Sequence, residues 1–186
     1  MNDRAHHLAD QVAQQVNEFA RLLTVLTPLE LKIPCHGERE GDTPGAVIVR
    51  AAATYDRAAV ILGGVRARSG ARTGVRSTAA AVVHGPTGGR RTPQALPADV
   101  EGLGKWLTAS GSSVAERVRR LTDQELARPL SADMVGFDNM DKPVGMIIEY
   151  MIYCQGGHYD AISRAIAAFW RSTGRKPLPL RAVSGA

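Results

Sequence analysis

Hydrophobic residues recur at steps of three and four in four stretches of the chain, and each stretch predicts an amphipathic helix. In the first, at about residues 3–26, the apolar positions are Leu8, Val12, Val16, Phe19, Leu22, Leu23 and Leu26. The same spacing predicts further helices at about 43–63, 97–121 and 143–171. Pro44 and Pro143 stand near the starts of the second and fourth, where proline is favoured. The pattern therefore predicts an all-α protein.

A short motif occurs twice, at a constant offset of 95 residues. Thr27 and Glu30 recur as Thr122 and Glu125, and in both copies a leucine precedes the threonine and another follows the glutamate. A threonine and a glutamate three residues apart form a capping box, which opens a helical turn. The chain thus reads as two copies of helix, capped turn, loop and helix. Because one helix pair is too small to bury its own apolar stripe, we expect the two pairs to pack as a four-helix bundle.

The second and third predicted helices are joined by a long basic loop, residues 65–96. Such a loop can run back along a helix about 30 Å long, which permits parallel second and third helices. No acidic residue lies between Arg57 and Ala98, whereas seven arginines do: Arg57, Arg66, Arg68, Arg72, Arg76, Arg90 and Arg91. No aromatic residue is interspersed with them, which favours a solvent-exposed connector over a nucleic-acid-binding surface.

Composition fits one soluble domain over residues 1–171 with an extended or disordered tail at 172–186. The chain has 186 residues, of which 44% are hydrophobic, and a formal net charge of +5. No apolar run reaches the roughly 18 residues that a membrane span needs, and no apolar segment follows the N-terminus as in a secretory signal. We therefore expect a cytoplasmic protein whose two cysteines, Cys35 and Cys154, are reduced.

The last predicted helix carries the candidate chemistry. Cys154 and His158 are four residues apart, so they lie on one helical face, and nearby apolar residues predict that this face points into the protein. Such a pair could fill two positions of a zinc site, or pair a thiol nucleophile with a base. Cys154 could equally be a small packing residue. Gly156 and Gly157 cost about 2 kcal/mol of helix propensity, so close helix packing, a kink or space for a ligand is expected there.

The stretch from Cys35 to Thr43, the two Thr-x-x-Glu-Leu turns and the Cys154-x-x-x-His158 helix resemble the DinB/YfiT-like proteins over nearly the whole chain. The resemblance implies a four-helix bundle of up-down-down-up topology with a crossover between helices two and three. It also implies a small-molecule enzyme, such as a transferase or isomerase using a low-molecular-weight thiol, or a self-protection protein. Many such proteins bind a divalent metal, such as zinc or nickel, through three histidines.

At the matching metal positions this chain departs from the family. His158 takes the second histidine position of helix four, Cys154 stands at the first, and Arg50 stands at the helix-two position. A guanidinium has no lone pair to give a cation, so we expect no metal cofactor. A metal held by His158 and Cys154 would need a third ligand from one of four residues: Glu149, Asp56, His36 or Cys35.

Three functions remain open from the sequence. In an enzyme without metal, Arg50 would bind an anionic group of the substrate and His158 would act as general acid and base. Candidate substrate-binding residues are Arg50, Thr54, Tyr55, Trp106 and Tyr150. Alternatively, the same pocket binds a small molecule without chemistry, or the protein is an interaction module that dimerises through helix four. We expect an enzyme of transfer, isomerisation or ring opening.

Overall fold

The computed structural model describes residues 3–35, 41–70, 99–130 and 142–175. They form four long helices, α1 (Asp3–Leu23), α2 (Pro44–Gly70), α3 (Val100–Arg119) and α5 (Val144–Ser172), and a short one, α4 (Asp123–Ala127). A 3-10 helix at Glu30–Lys32 lies between α1 and α2. The predicted all-α class is confirmed for this part of the chain, which contains no strand. Within it, no helix combines the length and apolar character needed to cross a membrane.

The four long helices surround one hydrophobic core. Both α3 and α5 pack against α1 and against α2, so the order around the core is α1, α3, α2, α5. The α1 and α3 helices approach closely at Gly111, where an added Cβ would lie 2.1 Å from Cγ2 of Val16. This contact explains how a helix weakened by glycines is held in place by tertiary packing.

The α2 helix is longer than its sequence pattern predicts. Its expected end is at Gly63 and Gly64, but it continues to Gly70, so the predicted loop 65–96 is helical at its start. An added Cβ on Gly63 would lie 2.8 Å from Nη1 of Arg117 on α3, and Val65 is buried. These tertiary contacts offset the low helix propensity of glycine. The remainder of that loop, from residue 71, lies outside the described residues, as does most of the predicted tail.

The two copies of the sequence repeat form the same capped turn. The Thr27 N–H donates to Oε2 of Glu30 at 2.7 Å, and the Glu30 N–H donates to Oγ1 of Thr27 at 3.4 Å. Thr122 and Glu125 form the matching pair of bonds, at 2.9 and 3.2 Å. Both predicted capping boxes are therefore present.

The repeat continues beyond these turns into the loops that follow them. The backbone N–H of Cys35 donates to the carbonyl of Asp42 at 2.8 Å, and the N–H of Leu130 donates to the carbonyl of Lys142 at 3.2 Å. Cys35 and Leu130 are again 95 residues apart. In both halves of the chain this bond brings the polypeptide back to the start of the next long helix.

Candidate functional site

The buried face of α5 contains His158 and has Cys154 at its edge. Large side chains of this face are Ile148, Met151, Gln155, His158, Ile162, Ile166 and Trp170. His158 is 8% exposed, whereas Cys154 is half-buried. The sequence predicts an inward position for both. Of the two, only His158 is buried, because the centre of the face passes through Gln155, which the apolar pattern does not mark as a core residue.

Gln155 is fully buried where α5 meets α2. Its Nε2 donates to the carbonyl of Ala51 at 3.4 Å, which fixes the orientation of the amide. The other amide atom, Oε1, is buried and has no hydrogen-bond partner among the described residues. Buried polar atoms are paired in the great majority of cases, so this acceptor is available to a bound group.

Tyr55 lies one helical turn after Ala51 on α2 and is also fully buried. Its Oη has no hydrogen-bond partner within the described ranges, and burial raises the pKa of the phenol. Gln155 bonds to the carbonyl of Ala51, so the backbone of Tyr55 follows that contact by one helical turn. Tyr55 is a predicted substrate-binding residue, whereas Gln155 was missed.

Further polar atoms lie along α5. Gln15 of α1 donates from Nε2 to the carbonyl of Ile152 at 2.7 Å, and its Oε1 is buried with no partner in the described part of the chain. Oγ of Ser163 on α5 is likewise buried and has no hydrogen-bond partner among the described residues. The sequence signal that could have found these positions is a glutamine or serine inside an otherwise apolar helical stripe.

Arg50 is held by an acidic residue of the protein itself. Its Nη2 lies 2.5 Å from Oδ2 of Asp42, whose side chain is 5% exposed. Nε of Arg50 is buried and has no hydrogen-bond partner among the described residues. The hydroxyl proton of Thr54 is used within α2, because it is donated to the carbonyl of Arg50 at 2.8 Å. Asp42, which the sequence reading missed, thus supplies a negative charge where a ligand's anionic group was expected.

Trp106 is positioned by contacts between α2 and α3. Its indole N–H donates to Oδ2 of Asp56 at 2.8 Å, and the hydroxyl of Ser110 donates to Oδ1 of the same carboxylate at 2.5 Å. These bonds hold Trp106 on the side of α2 that faces α3. The interface that contains Gln155 is formed by α2 and α5 instead, so Trp106 and Gln155 belong to different interfaces.

Tyr150 lies on the outer side of α5. Its side chain is 61% exposed, and that of Tyr153 is 78% exposed. The buried face with His158 and Gln155 is on the opposite side of the helix. The structure therefore separates Tyr150, a predicted substrate-binding residue, from the buried polar groups.

No group of three His, Cys, Asp or Glu side chains in the described ranges is placed to hold a metal ion. Glu149 accepts a bond from Arg4 at 2.9 Å, and Asp56 accepts from Trp106 and Ser110. His36 lies outside the described residues.

Cys35 is buried beside charged groups. Burial raises the pKa of its thiol and so does the charge of Asp42, while Arg164 and Arg50 act in the opposite direction. The net direction is upward, so the thiol is kept in its protonated form, which is a poor nucleophile and a poor metal ligand.

Comparisons of the chain with protein-family models, with curated proteins and with solved structures find no match. The resemblance to DinB/YfiT-like proteins thus stays a prediction from the sequence.

Proposed function

We propose that this protein binds a small polar molecule between α2 and α5 and acts on it without a metal, as a DinB-like enzyme of transfer, isomerisation or ring opening. The observation that carries the proposal is the pair of buried atoms Tyr55 Oη and Gln155 Oε1, which have no hydrogen-bond partner in the described part of the chain. Burying polar groups without partners costs about 1–3 kcal/mol each, and a ligand would recover this free energy.

The helix directions support a DinB-like topology. Gly111 of α3 lies near Val16 of α1, and Arg119, further along α3, pairs with Asp10, which is earlier in α1. This is an antiparallel relationship. On α1 and α5 both numbers rise together, because Gln15 contacts Ile152 and Phe19 stacks edge-on against Tyr159.

The α2 and α3 helices supply the remaining direction. Asp56 bonds to Ser110, and one to two turns later Gly63 lies against Arg117, so these helices are parallel. Two parallel neighbours that follow one another in the chain need a crossover, and residues 71–98 are long enough to provide it. Together these directions support the proposed up-down-down-up topology.

The chemistry of the site defines the ligand. Gln155 Oε1 accepts a hydrogen bond and the Tyr55 hydroxyl can donate one, while Nε of Arg50 offers a second donor. His158 lies three residues after Gln155 on the same buried face and can exchange a proton with the bound molecule. Because Asp42 balances the charge of Arg50, we expect a neutral ligand with hydroxyl or amide donors.

Binding is tested by thermal-shift measurements with panels of polyols, amides, amines and low-molecular-weight thiols. Gln155→Met and Tyr55→Phe remove the two unpartnered atoms, and Gln124→Met on the exposed surface of α4 is the matched control. A compound that stabilises wild type and Gln124→Met, but neither site variant, supports the proposal. A panel without any stabilising compound, or equal shifts in all four proteins, overturns it.

A non-catalytic carrier is the second candidate. The two unpartnered atoms, Gln155 Oε1 and Tyr55 Oη, account for ligand binding but not for a reaction, which would depend on His158. The two functions separate in His158→Ala, assayed with a compound from the binding panel. Loss of product formation with retained binding supports the enzyme. If wild type binds the compound and leaves it unchanged, the carrier is supported instead.

A further inference from the structure

The outer face of α5 begins with three exposed apolar side chains. Met146, Tyr150 and Tyr153 are 46%, 61% and 78% exposed, and they follow one another at steps of four and three. The same alternation continues through Gly157, Asp160 and Arg164. We name these six residues the outer seam. It lies on the side of α5 opposite His158, so this helix has a second stripe that the core does not use.

Gly157 in the outer seam has no packing role within the described chain. An added Cβ there would meet nothing within 4 Å, in contrast to Gly111, whose Cβ would collide with Val16. Glycine inside a helix costs about 1 kcal/mol relative to alanine. Nothing in the described part of the chain uses the space beside Gly157, which leaves that space open to a group docking on this face of α5.

The outer seam is complementary to the outer seam of a second copy when the two α5 helices run antiparallel and cross at residue 155 of each. Tyr153 and Gly157 are equally distant from residue 155, as are Tyr150 and Asp160, and Met146 and Arg164. In an antiparallel pair, the ring of Tyr153 covers the bare backbone of Gly157, a large group against a small one. Tyr150 then lies level with Asp160, and Met146 packs along the aliphatic stem of Arg164.

We propose that the outer seam is a homodimer interface in which the α5 helices of two copies pack antiparallel about a two-fold axis. Each seam residue then makes its contact twice, as the symmetry of an isologous interface requires. Exposed tyrosines are typical anchors of protein interfaces. Six residues per copy are fewer than the about 20 of a standard interface, so we expect a weak dimer in the micromolar range.

The test is sedimentation velocity on the full chain over a wide range of concentrations, where wild type should show reversible association. Met146→Lys places a lysine opposite Arg164 of the second copy, and like charges facing each other should raise the dissociation constant about tenfold or more. Adding Arg164→Glu places a carboxylate opposite that lysine and should restore association.

The matched control is Met146→Lys with Arg21→Glu, which has the same net charge but changes an exposed arginine on α1. It should stay dissociated. A wild type that is monomeric throughout, or equal association of the two double variants, overturns the proposal. Met146, Tyr150 and Tyr153 lie on the face of α5 opposite Gln155, so a monomeric wild type would leave the proposed function untouched. Arg164 lies near enough to Cys35 to act on its thiol, so melting curves are needed to show that each variant is folded.

Discussion

The indole N–H of Trp170 donates a hydrogen bond to the carboxylate of Glu30, which lies 140 residues earlier in the chain. Both side chains are buried. Arg175 pairs with the same carboxylate oxygen at 2.6 Å and its guanidinium lies 5.9 Å from the centre of the indole ring. The second oxygen accepts from Thr27. One buried carboxylate thus joins the turn after α1 to the end of α5.

Glu30 is expected to make stability depend on pH. Burial would raise the pKa of Glu30, but bonds from Trp170 and Thr27 and the charge of Arg175 hold it below its ordinary value of 4.5. Such a group contributes stability that is complete above its unfolded pKa and is lost as pH falls through the folded pKa. Wild type should therefore lose stability as the pH falls below 4.5.

Glu30→Gln should lower the free energy of unfolding at neutral pH by about 1–3 kcal/mol, since the charged bond to Arg175 is lost. It should also flatten the acid dependence. Denaturant unfolding across a pH series measures both effects. Glu125→Gln changes the equivalent residue of the second repeat, whose turn is exposed, and should cost less. Equal losses in the two variants would contradict the prediction.

Two glycine substitutions should change stability in opposite directions. Gly111→Ala places a methyl group into Val16 and should destabilise by about 1–3 kcal/mol through overpacking. Gly157→Ala meets open space and should stabilise by up to about 1 kcal/mol through helix propensity. Thermal unfolding at low protein concentration, where any dimer is dissociated, compares the two. A stabilising Gly111→Ala would mean that α1 and α3 are farther apart than the structure has them.

Tyr55→Phe should leave the stability of the ligand-free protein unchanged or raise it by up to about 1 kcal/mol. The reason is that the phenol oxygen is buried without a partner, so its removal ends a desolvation cost and breaks no bond. Denaturant unfolding measures the change. Tyr159→Phe, at a half-buried ring that contacts Phe19 edge-on, is the control. A clear loss of stability in Tyr55→Phe alone would reveal a hydrogen bond at this oxygen.

The two cysteines should react with alkylating reagents at different rates. Cys35 is buried and its thiol has a raised pKa, whereas Cys154 is half-buried. The reagent attacks the thiolate, so Cys154 should be modified first in the folded protein, and both should react once it is unfolded. Peptide mass spectrometry after brief iodoacetamide treatment gives the order. Faster labelling of Cys35 would show that its loop opens readily.

Local patterns in the sequence determine the helices and the repeated turns. A helical stripe depends on residues three and four apart, and the capping boxes at Thr27 and Thr122 need only a glutamate three residues later. For this reason the all-α class and both capped turns could be predicted. The resemblance to DinB-like proteins added an expected topology. Of the candidate site residues, Tyr55 and His158 are buried.

Only the tertiary structure decides the partners of those residues. The sequence alone could not show that Asp42 neutralises Arg50, that Gln155 rather than Cys154 faces the core, or that Gly63 continues α2 because Arg117 packs over it. Each depends on contacts across a loop or between helices, whose free energies exceed local propensities of about 1 kcal/mol. Glu30 and Glu125 have the same local motif, yet only Glu30 is buried, because the end of α5 returns to cover it.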